Sequence, residues 1–150
     1  MDWFQGPLFD TIVKGDEAAV IQLLSLGASI NKADSQGLTA LHWSSASSEA
    51  EILVPVLLSR GAKIDTKDNL GRTPLHLHCA RGRAFGTMCL LHQGADSNAQ
   101  TFDTQSTPLH YAAAHNNSDI ARLLLAYGAK SSIINSAGEK AKDIGAADVG

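Results

Sequence analysis

The chain has 150 residues, of which 44% are hydrophobic and 18% are charged, a balance that excludes an intrinsically disordered protein. Its formal net charge is −3, so it has no overall positive charge with which to bind nucleic acid. Two cysteines are too few for a disulfide framework and no apolar stretch is long enough to span a bilayer, so we expect an intracellular protein, cytoplasmic or nuclear.

Two sequence markers recur along the chain with a period of 33 or 34 residues. A tetrapeptide of the form Thr-(Ala/Pro)-Leu-His begins at Thr39, Thr73 and Thr107. A Gly-Ala pair occurs at residues 27–28, 61–62, 94–95 and 128–129. Two markers that stay in phase indicate an internal repeat. The predicted units are residues 1–33, 34–67, 68–100 and 101–134, followed by a partial C-terminal unit at 135–150.

The third unit shows why each repeat predicts a pair of helices. The hydroxyl of Thr73 can cap a helix N-terminus, and Pro74 fits the first helical turn, where its missing N–H is harmless. Gly82 is suited to the left-handed conformation that ends this first helix. A second helix is predicted over roughly 84–92, and Gly94 closes it by the same logic.

Leucines mark the buried face of the second helices. Leu90 and Leu91 are predicted to face inward in the third unit. In the fourth unit, Ile120, Leu123 and Leu124 form an apolar stripe at helical spacing. Neither helix of a unit can bury such a stripe alone, so neighbouring units must stack.

The tetrapeptide, the glycine after the first helix, the paired leucines and the Gly-Ala segment together resemble the ankyrin repeat. The resemblance implies an all-α solenoid in which antiparallel helix pairs alternate with β-hairpin loops, forming a single domain over residues 1–150. It also implies a non-enzymatic module that holds another protein on its concave side, at hairpin tips and first helices. The partial unit at 135–150 is expected to cap the stack.

The second and fourth units depart from this pattern. The second has one extra residue between His42 and Gly61, which we place in the turn at 47–51. The loop that opens the fourth unit is also one residue longer. In that loop Gln105 takes the place of the glycine found in the second and third units, so its hairpin is expected to have a different tip.

The third unit departs from the pattern inside its helices. His78 and Cys79 stand where the family prefers two alanines, at a place where helices crowd. Gly86 is expected to interrupt the second helix, at about 1 kcal/mol relative to alanine.

The histidines of the tetrapeptides recur with the repeat, at His42, His76 and His110. They could form a metal ladder or a proton relay, or each imidazole could hydrogen-bond loop backbone and hold adjacent units in register. The regular period favours the structural interpretation, and rings one repeat apart are too distant to share a metal ion.

The third unit is rich in residue types that can bind a metal ion, namely His76, His78, Cys79, Cys89 and His92. Their spacing does not match the paired cysteines or histidines of structural zinc sites, so we predict no metal site. The sequence also has no glycine-rich phosphate loop and no nucleophile elbow. We therefore predict a protein that is not an enzyme and has no cofactor.

Asn31 and Asn98 occupy the position at which many ankyrin repeats carry asparagine. Hydrogen bonding in the turn explains a residue of this type. The resemblance also allows hydroxylation of these asparagines, and the sequence leaves that alternative open.

Positive charge is concentrated in one segment. Residues 60–83 carry a net charge of +4, between a segment of −5 at 1–59 and one of −2 at 84–150. We assign Arg60 and Lys63 to a solvated face that binds nothing. By contrast, Lys67, Arg72 and Arg81 fall at hairpin and first-helix positions that the family varies to contact partners, and we expect all three on the concave side.

Leu38, Leu70 and Phe102 place apolar groups on hairpins that need no apolar residue, although packing along the hairpin row would also account for them. The candidate partner-binding residues are Ser35, Gln36, Leu38, Trp43, Ser47, Lys67, Asn69, Leu70, Arg72, Arg81, Thr101, Phe102, Thr104, Ser106, Tyr111 and His115. We expect a monomer that binds another protein through an acidic and apolar contact surface.

Three functions use such a surface. The first is a small adaptor or protein-interaction module. The second is an accessory or inhibitory subunit that docks on an enzyme. The third is a reader of a short acidic or modified peptide, to which Trp43 and Tyr111 could contribute, although two aromatic residues on separate units are thin support for an aromatic cage.

Overall fold

The computed structural model describes residues 5–144. The first helix of each unit is, in chain order, α1 (Gln5–Lys14), α3 (Ala40–Trp43), α6 (Pro74–Ala80) and α8 (Pro108–Ala114). The second helices are α2 (Glu17–Ser25), α4 (Ser48–Glu51) with α5 (Val54–Ser59), α7 (Ala84–His92) and α9 (Ser118–Ala126). A 3-10 helix follows at Ala141–Asp143. The predicted all-α fold is confirmed.

The helices form two rows. In the first-helix row (α1, α3, α6 and α8) each helix contacts the next, and in the second-helix row α7 contacts both α5 and α9. Fully buried leucines from both rows form the core, namely Leu8, Leu41, Leu53, Leu57, Leu75, Leu90 and Leu124. No helix within residues 5–144 is long and apolar enough to cross a membrane.

The local signals of the third unit produce the predicted helices. Thr73 Oγ1 accepts a hydrogen bond from the backbone N–H of His76 at 3.4 Å, and Pro74 occupies the first turn of α6. Gly82 has φ +69° after α6, and α7 spans the predicted second helix. In the fourth unit, Ile120 and Leu124 are buried as their spacing predicts.

The tetrapeptide histidines tie each unit to the next. Each Nδ1 accepts a hydrogen bond from the backbone N–H of the threonine that begins its own tetrapeptide, at 3.1 Å in all three units. The proton is therefore on Nε2, which donates to a carbonyl in the next hairpin. These bonds run from His42 to Arg72 (2.8 Å), from His76 to Ser106 (2.9 Å) and from His110 to Glu139 (2.8 Å). The structural interpretation of these histidines is confirmed.

Two further sets of side chains bond across units. At the start of the second helices, Ser47 donates to Val13 O at 2.7 Å, and Asn117 donates in the same way to Cys79 O at 2.8 Å. In the loops after the second helices, Asn31 donates to Gly61 O (2.9 Å) and accepts from Lys63 N (2.8 Å), and Asn98 accepts from Lys130 N (2.8 Å). These two asparagines therefore hold neighbouring loops together.

The second unit has one extra residue, and its helices also differ from those of the other units. Its first helix ends early because the hydroxyls of Ser44 and Ser45 donate to the carbonyls three residues before them. From the N-cap residue Ser47 to Gly61 the chain spans 14 positions, against 11 in the third unit. The surplus is taken up by a break at 52–53, between α4 and α5. The prediction that the extra residue lies at 47–51 is wrong.

Gly86 and His78 fit each other across the third unit. The helix α7 continues through Gly86, so the predicted interruption is wrong. A Cβ at Gly86 would overlap the ring of His78, which is fully buried and donates from Nδ1 to Pro74 O at 2.8 Å. The missing side chain of Gly86 thus provides the space that His78 occupies.

Replacing Leu124 by alanine is expected to lower the free energy of unfolding by about 2–5 kcal/mol, because it leaves a cavity in the stack. Its neighbour Leu125 is exposed, and Leu125→Ala should change stability by less than about 0.5 kcal/mol. Urea denaturation of both variants measures the difference. Equal effects would show that Leu124 is not interior.

Acidification is expected to destabilise the fold. Burial lowers the pKa of His76 to about 4 and that of His78 to about 4, whereas an unfolded histidine titrates near ~6.5. Between these values the unfolded chain binds protons that the folded chain excludes, so the free energy of unfolding falls as pH drops from about 6.5 to about 4. For each of these histidines, the free energy of unfolding at neutral pH exceeds that at a pH below both values by roughly 3 kcal/mol. Urea denaturation across this range tests the prediction, and a constant free energy of unfolding between pH ~7 and ~5 would contradict it.

Gly86→Ala is expected to destabilise the protein by about 1–3 kcal/mol, because the new methyl group overpacks the His78 ring. In the His78→Ala background the same substitution should instead stabilise α7 by up to about 1 kcal/mol, since alanine favours a helix over glycine. A double-mutant cycle measured by thermal unfolding checks this reversal of sign. Additive effects would mean that the two residues do not interact.

Candidate functional site

The hairpin tips lie side by side and form a continuous row. This hairpin row consists of loops 34–38, 68–72, 101–106 and 135–139. Backbone hydrogen bonds connect successive tips, from Asn69 N to Gln36 O (3.0 Å), from Phe102 N to Leu70 O (2.9 Å) and from Ser136 N to Thr104 O (2.8 Å). Residues at neighbouring tips are therefore brought into contact, next to the N-terminal ends of the first helices.

Side chains at the base of each loop fix the shape of its tip. Asp34 Oδ1 accepts from the backbone N–H groups of Gln36 and Leu38, both at 2.9 Å. In the third unit, Asp68 Oδ1 accepts from Leu70 N at 3.0 Å and from Arg72 N at 2.8 Å. These carboxylates replace backbone acceptors in a tight turn.

The tip of the fourth unit is built differently, as Gln105 predicts. Gln105 has φ +53°, a conformation that glycine adopts in the other hairpins. Thr101 and Ser106 are buried, and Thr101 Oγ1 accepts from Ser106 N at 3.1 Å. Both residues were expected at the partner-binding surface, but their polar groups close this longer loop.

Two apolar side chains are exposed on adjacent tips. Leu70 is 45% exposed and Phe102 is 64% exposed. The ring of Phe102 lies against Gly71, where a Cβ would meet the ring at 2.7 Å. Lys67 Nζ lies 5.0 Å from the centre of this ring and donates to Gln100 O at 3.0 Å. Lys67 therefore points along the hairpin row and holds Phe102 by a cation–π contact.

The first-helix row carries one large apolar residue at the same position in three units: Trp43, Leu77 and Tyr111. Trp43 stacks on Phe9 with ring centres 5.7 Å apart, and its Nε1 donates to Asp34 at 3.0 Å. Tyr111 meets His76 edge-on at 5.0 Å. Trp43 and Tyr111 remain half-buried, whereas Leu77 is buried.

Arg72 and Arg81, which the sequence groups together, have different surroundings. Arg72 Nε lies 2.7 Å from Oδ2 of the fully buried Asp68 side chain, so its charge is neutralised at the base of the hairpin. Arg81 follows α6 and donates from Nη1 to Ser45 Oγ at 3.1 Å. Part of the Arg81 side chain is buried, and this burial, together with the charges of Arg83 and Arg72, lowers its pKa.

The remaining candidates divide by exposure. Exposed residues are Ser35, Gln36, Asn69, Thr104 and His115, and Leu38 is half-buried. Ser47 is engaged at the start of α4, where its hydroxyl also accepts from Ala50 N at 3.0 Å. Arg60 and Lys63 are exposed at the end of α5, away from the tips.

Two features were missed by reasoning from the sequence. The first is Arg83, which donates from Nε to Ser45 O at 3.0 Å, next to Arg81. The sequence could have indicated Arg83 as a candidate, because it belongs to the basic segment 60–83. On the second-helix row an apolar groove of about 500 Å³ lies between Leu58, Met88 and Tyr127. No periodic signal in the sequence marks this groove, because its residues come from three units.

The cysteines and histidines of the third unit are dispersed. Cys79 is buried beside Thr87, and this burial raises the pKa of its thiol to about 12. Cys89 and His92 instead line the groove on the second-helix row. Over residues 5–144, no group of three or more histidine, cysteine or acidic side chains is placed to hold a metal ion.

Comparison with known families gives a match over most of the chain. A family model described as ankyrin repeats, in three copies, matches residues 45–135. This range begins in the turn after α3 and ends at the first residue of the last hairpin loop. A search of curated proteins finds no match.

Proposed function

Because the chain belongs to the ankyrin-repeat family, we propose that it binds a partner protein on the hairpin row and first-helix row of units two to four. Ankyrin repeats generally mediate protein–protein interaction, and the family is generally non-enzymatic. The fold class alone does not select a surface, so the location rests on particular side chains.

The exposed pair Leu70 and Phe102 carries the proposal. In the preceding hairpin, the position equivalent to Leu70 is occupied by Gln36. In the last hairpin, the position equivalent to Phe102 is occupied by Ser136, whose N–H makes the equivalent hydrogen bond between tips. The hairpins therefore form with polar residues at these places, and folding does not require apolar ones. Large apolar groups that remain exposed without a structural need are typical of binding surfaces.

Charge supports a partner that presents acidic groups beside apolar ones. The segment 60–83 has a net charge of +4 in a chain of net charge −3. Lys67 and Arg81 contribute two of these positive charges to the proposed surface, and neither belongs to an ion pair within residues 5–144, where the ion pairs involve Arg72 and Arg122. Such charges speed association with an acidic surface and make it dependent on ionic strength.

An adaptor and an inhibitory subunit would use this same surface. The two differ only in whether the bound partner is an enzyme that loses activity in the complex. An assay of the partner with and without this protein separates them. A cage for a modified side chain has less support, because Trp43 stacks on Phe9 and Tyr111 packs on His76, each in its own place.

Replacing Leu70 and Phe102 together by alanine is expected to weaken the partner's affinity by about 2 kcal/mol or more, roughly 30-fold in Kd. The matched control is Ile52→Ala with Met88→Ala, because these residues are 57% and 43% exposed on the second-helix row. Proteins retained by the immobilised wild-type chain are identified by mass spectrometry, and the Kd of a purified partner is then measured by calorimetry.

All proteins used in this comparison should show the same thermal unfolding, so that affinity is compared between folded chains. Loss of binding in the hairpin variant alone supports the proposed surface. Loss in the control alone would move the site to the second-helix row. Equal affinity of both variants and the wild type would contradict the role of Leu70 and Phe102.

A further inference from the structure

The exposed Arg81 makes a side-chain hydrogen bond that connects the third unit to the second. Its Nη1 donates to Ser45 Oγ at 3.1 Å, and Ser45 is fully buried. The Ser45 hydroxyl donates its own proton to His42 O at 2.8 Å, so its oxygen is free to accept from Arg81. This bond restrains the guanidinium, and a restrained side chain loses less entropy when it binds a ligand.

Arg72 and Arg83, whose charges act on Arg81, each have an acidic group near them. Arg72 pairs with Asp68 at 2.7 Å. Arg83 donates to Ser45 O and lies near Glu51. Burial raises the pKa of Glu51, and the charge of Arg83 partly offsets this effect. Within residues 5–144 the ion pairs do not include Arg81. Three arginines and two carboxylates leave one surplus positive charge at this place.

Half-buried aromatic side chains lie in the units before and after that of Arg81. Arg81 directly follows α6, one helical turn after the buried Leu77. In the neighbouring units the place of Leu77 is taken by the half-buried rings of Trp43 and Tyr111. A segment that crosses these units would therefore meet an aromatic side chain in the unit on either side of Arg81.

We propose that Arg81 binds one carboxylate side chain, aspartate or glutamate, in a linear segment of the partner whose neighbouring large apolar residue packs on Trp43 or Tyr111. This inference rests on the proposed function and adds the partner's chemistry. A carboxylate matches the single surplus charge, whereas a phosphorylated residue would bring about two negative charges. The guanidinium offers its remaining N–H donors to the two carboxylate oxygens.

Selection from a library of short random peptides tests the inference with the full chain. One central position is fixed in turn as Asp, Glu, phosphoserine, Asn or Gln, and all other positions vary. The proteins compared are the wild type, Arg81→Gln, Arg81→Lys and the matched control Arg60→Gln, which removes the same charge from the exposed end of α5. Thermal unfolding of each variant is measured alongside.

The wild type and Arg60→Gln should select Asp or Glu next to a large apolar residue. In Arg81→Gln the affinity for the selected acidic peptides should fall about tenfold or more, while their Asn and Gln counterparts bind equally to both proteins. Arg81→Lys should recover part of the loss, because it keeps the charge without the planar pair of donors.

Three results would overturn the inference. They are a preference for phosphoserine over both acids, equal selection of Asn or Gln, and no selected peptide at all. None of these results by itself contradicts the proposed function. That proposal is contradicted only if the variant with alanine at Leu70 and Phe102 keeps full affinity for the partner. The two proposals are thus separated by independent measurements.

Discussion

The hydrogen bond from each tetrapeptide histidine to the next hairpin is the interaction on which the rest of the structure depends. Each unit exposes apolar faces that only a neighbour can bury, and packing alone does not fix where the hairpins lie. The Nε2 bonds of His42, His76 and His110, each 2.8–2.9 Å long, set the positions of the last three hairpins. Because the tips are placed in this way, Leu70 and Phe102 meet on adjacent hairpins.

The sequence predicts what repeats with the period. Thr73, Pro74 and Gly82 give the bounds of the helices, since capping and left-handed turns are local properties of the chain. The role of the histidines could also be predicted, because a regular recurrence points to architecture. Gln105 correctly indicated a different tip, since a side chain replaces glycine at a left-handed position.

The sequence does not predict contacts between residues that are far apart and break the pattern. Gly86 taken alone is a weak helix residue, and only its contact with His78 explains why α7 is continuous. Similarly, Lys67 and Arg72 look like free charges, but the former lies over Phe102 and the latter pairs with Asp68. Thr101 and Ser106 occupy variable positions but close a loop. Their roles depend on distances that no local rule supplies.

The most direct test of this account is the tautomer of the tetrapeptide histidines, measured by long-range proton–nitrogen NMR correlation of the imidazole rings at neutral pH. We expect His42, His76 and His110 to carry the proton on Nε2, with each of these protons protected from exchange by its bond to the next hairpin. Protons on Nδ1, or Nε2 protons that exchange as fast as those of an exposed histidine, would contradict the account.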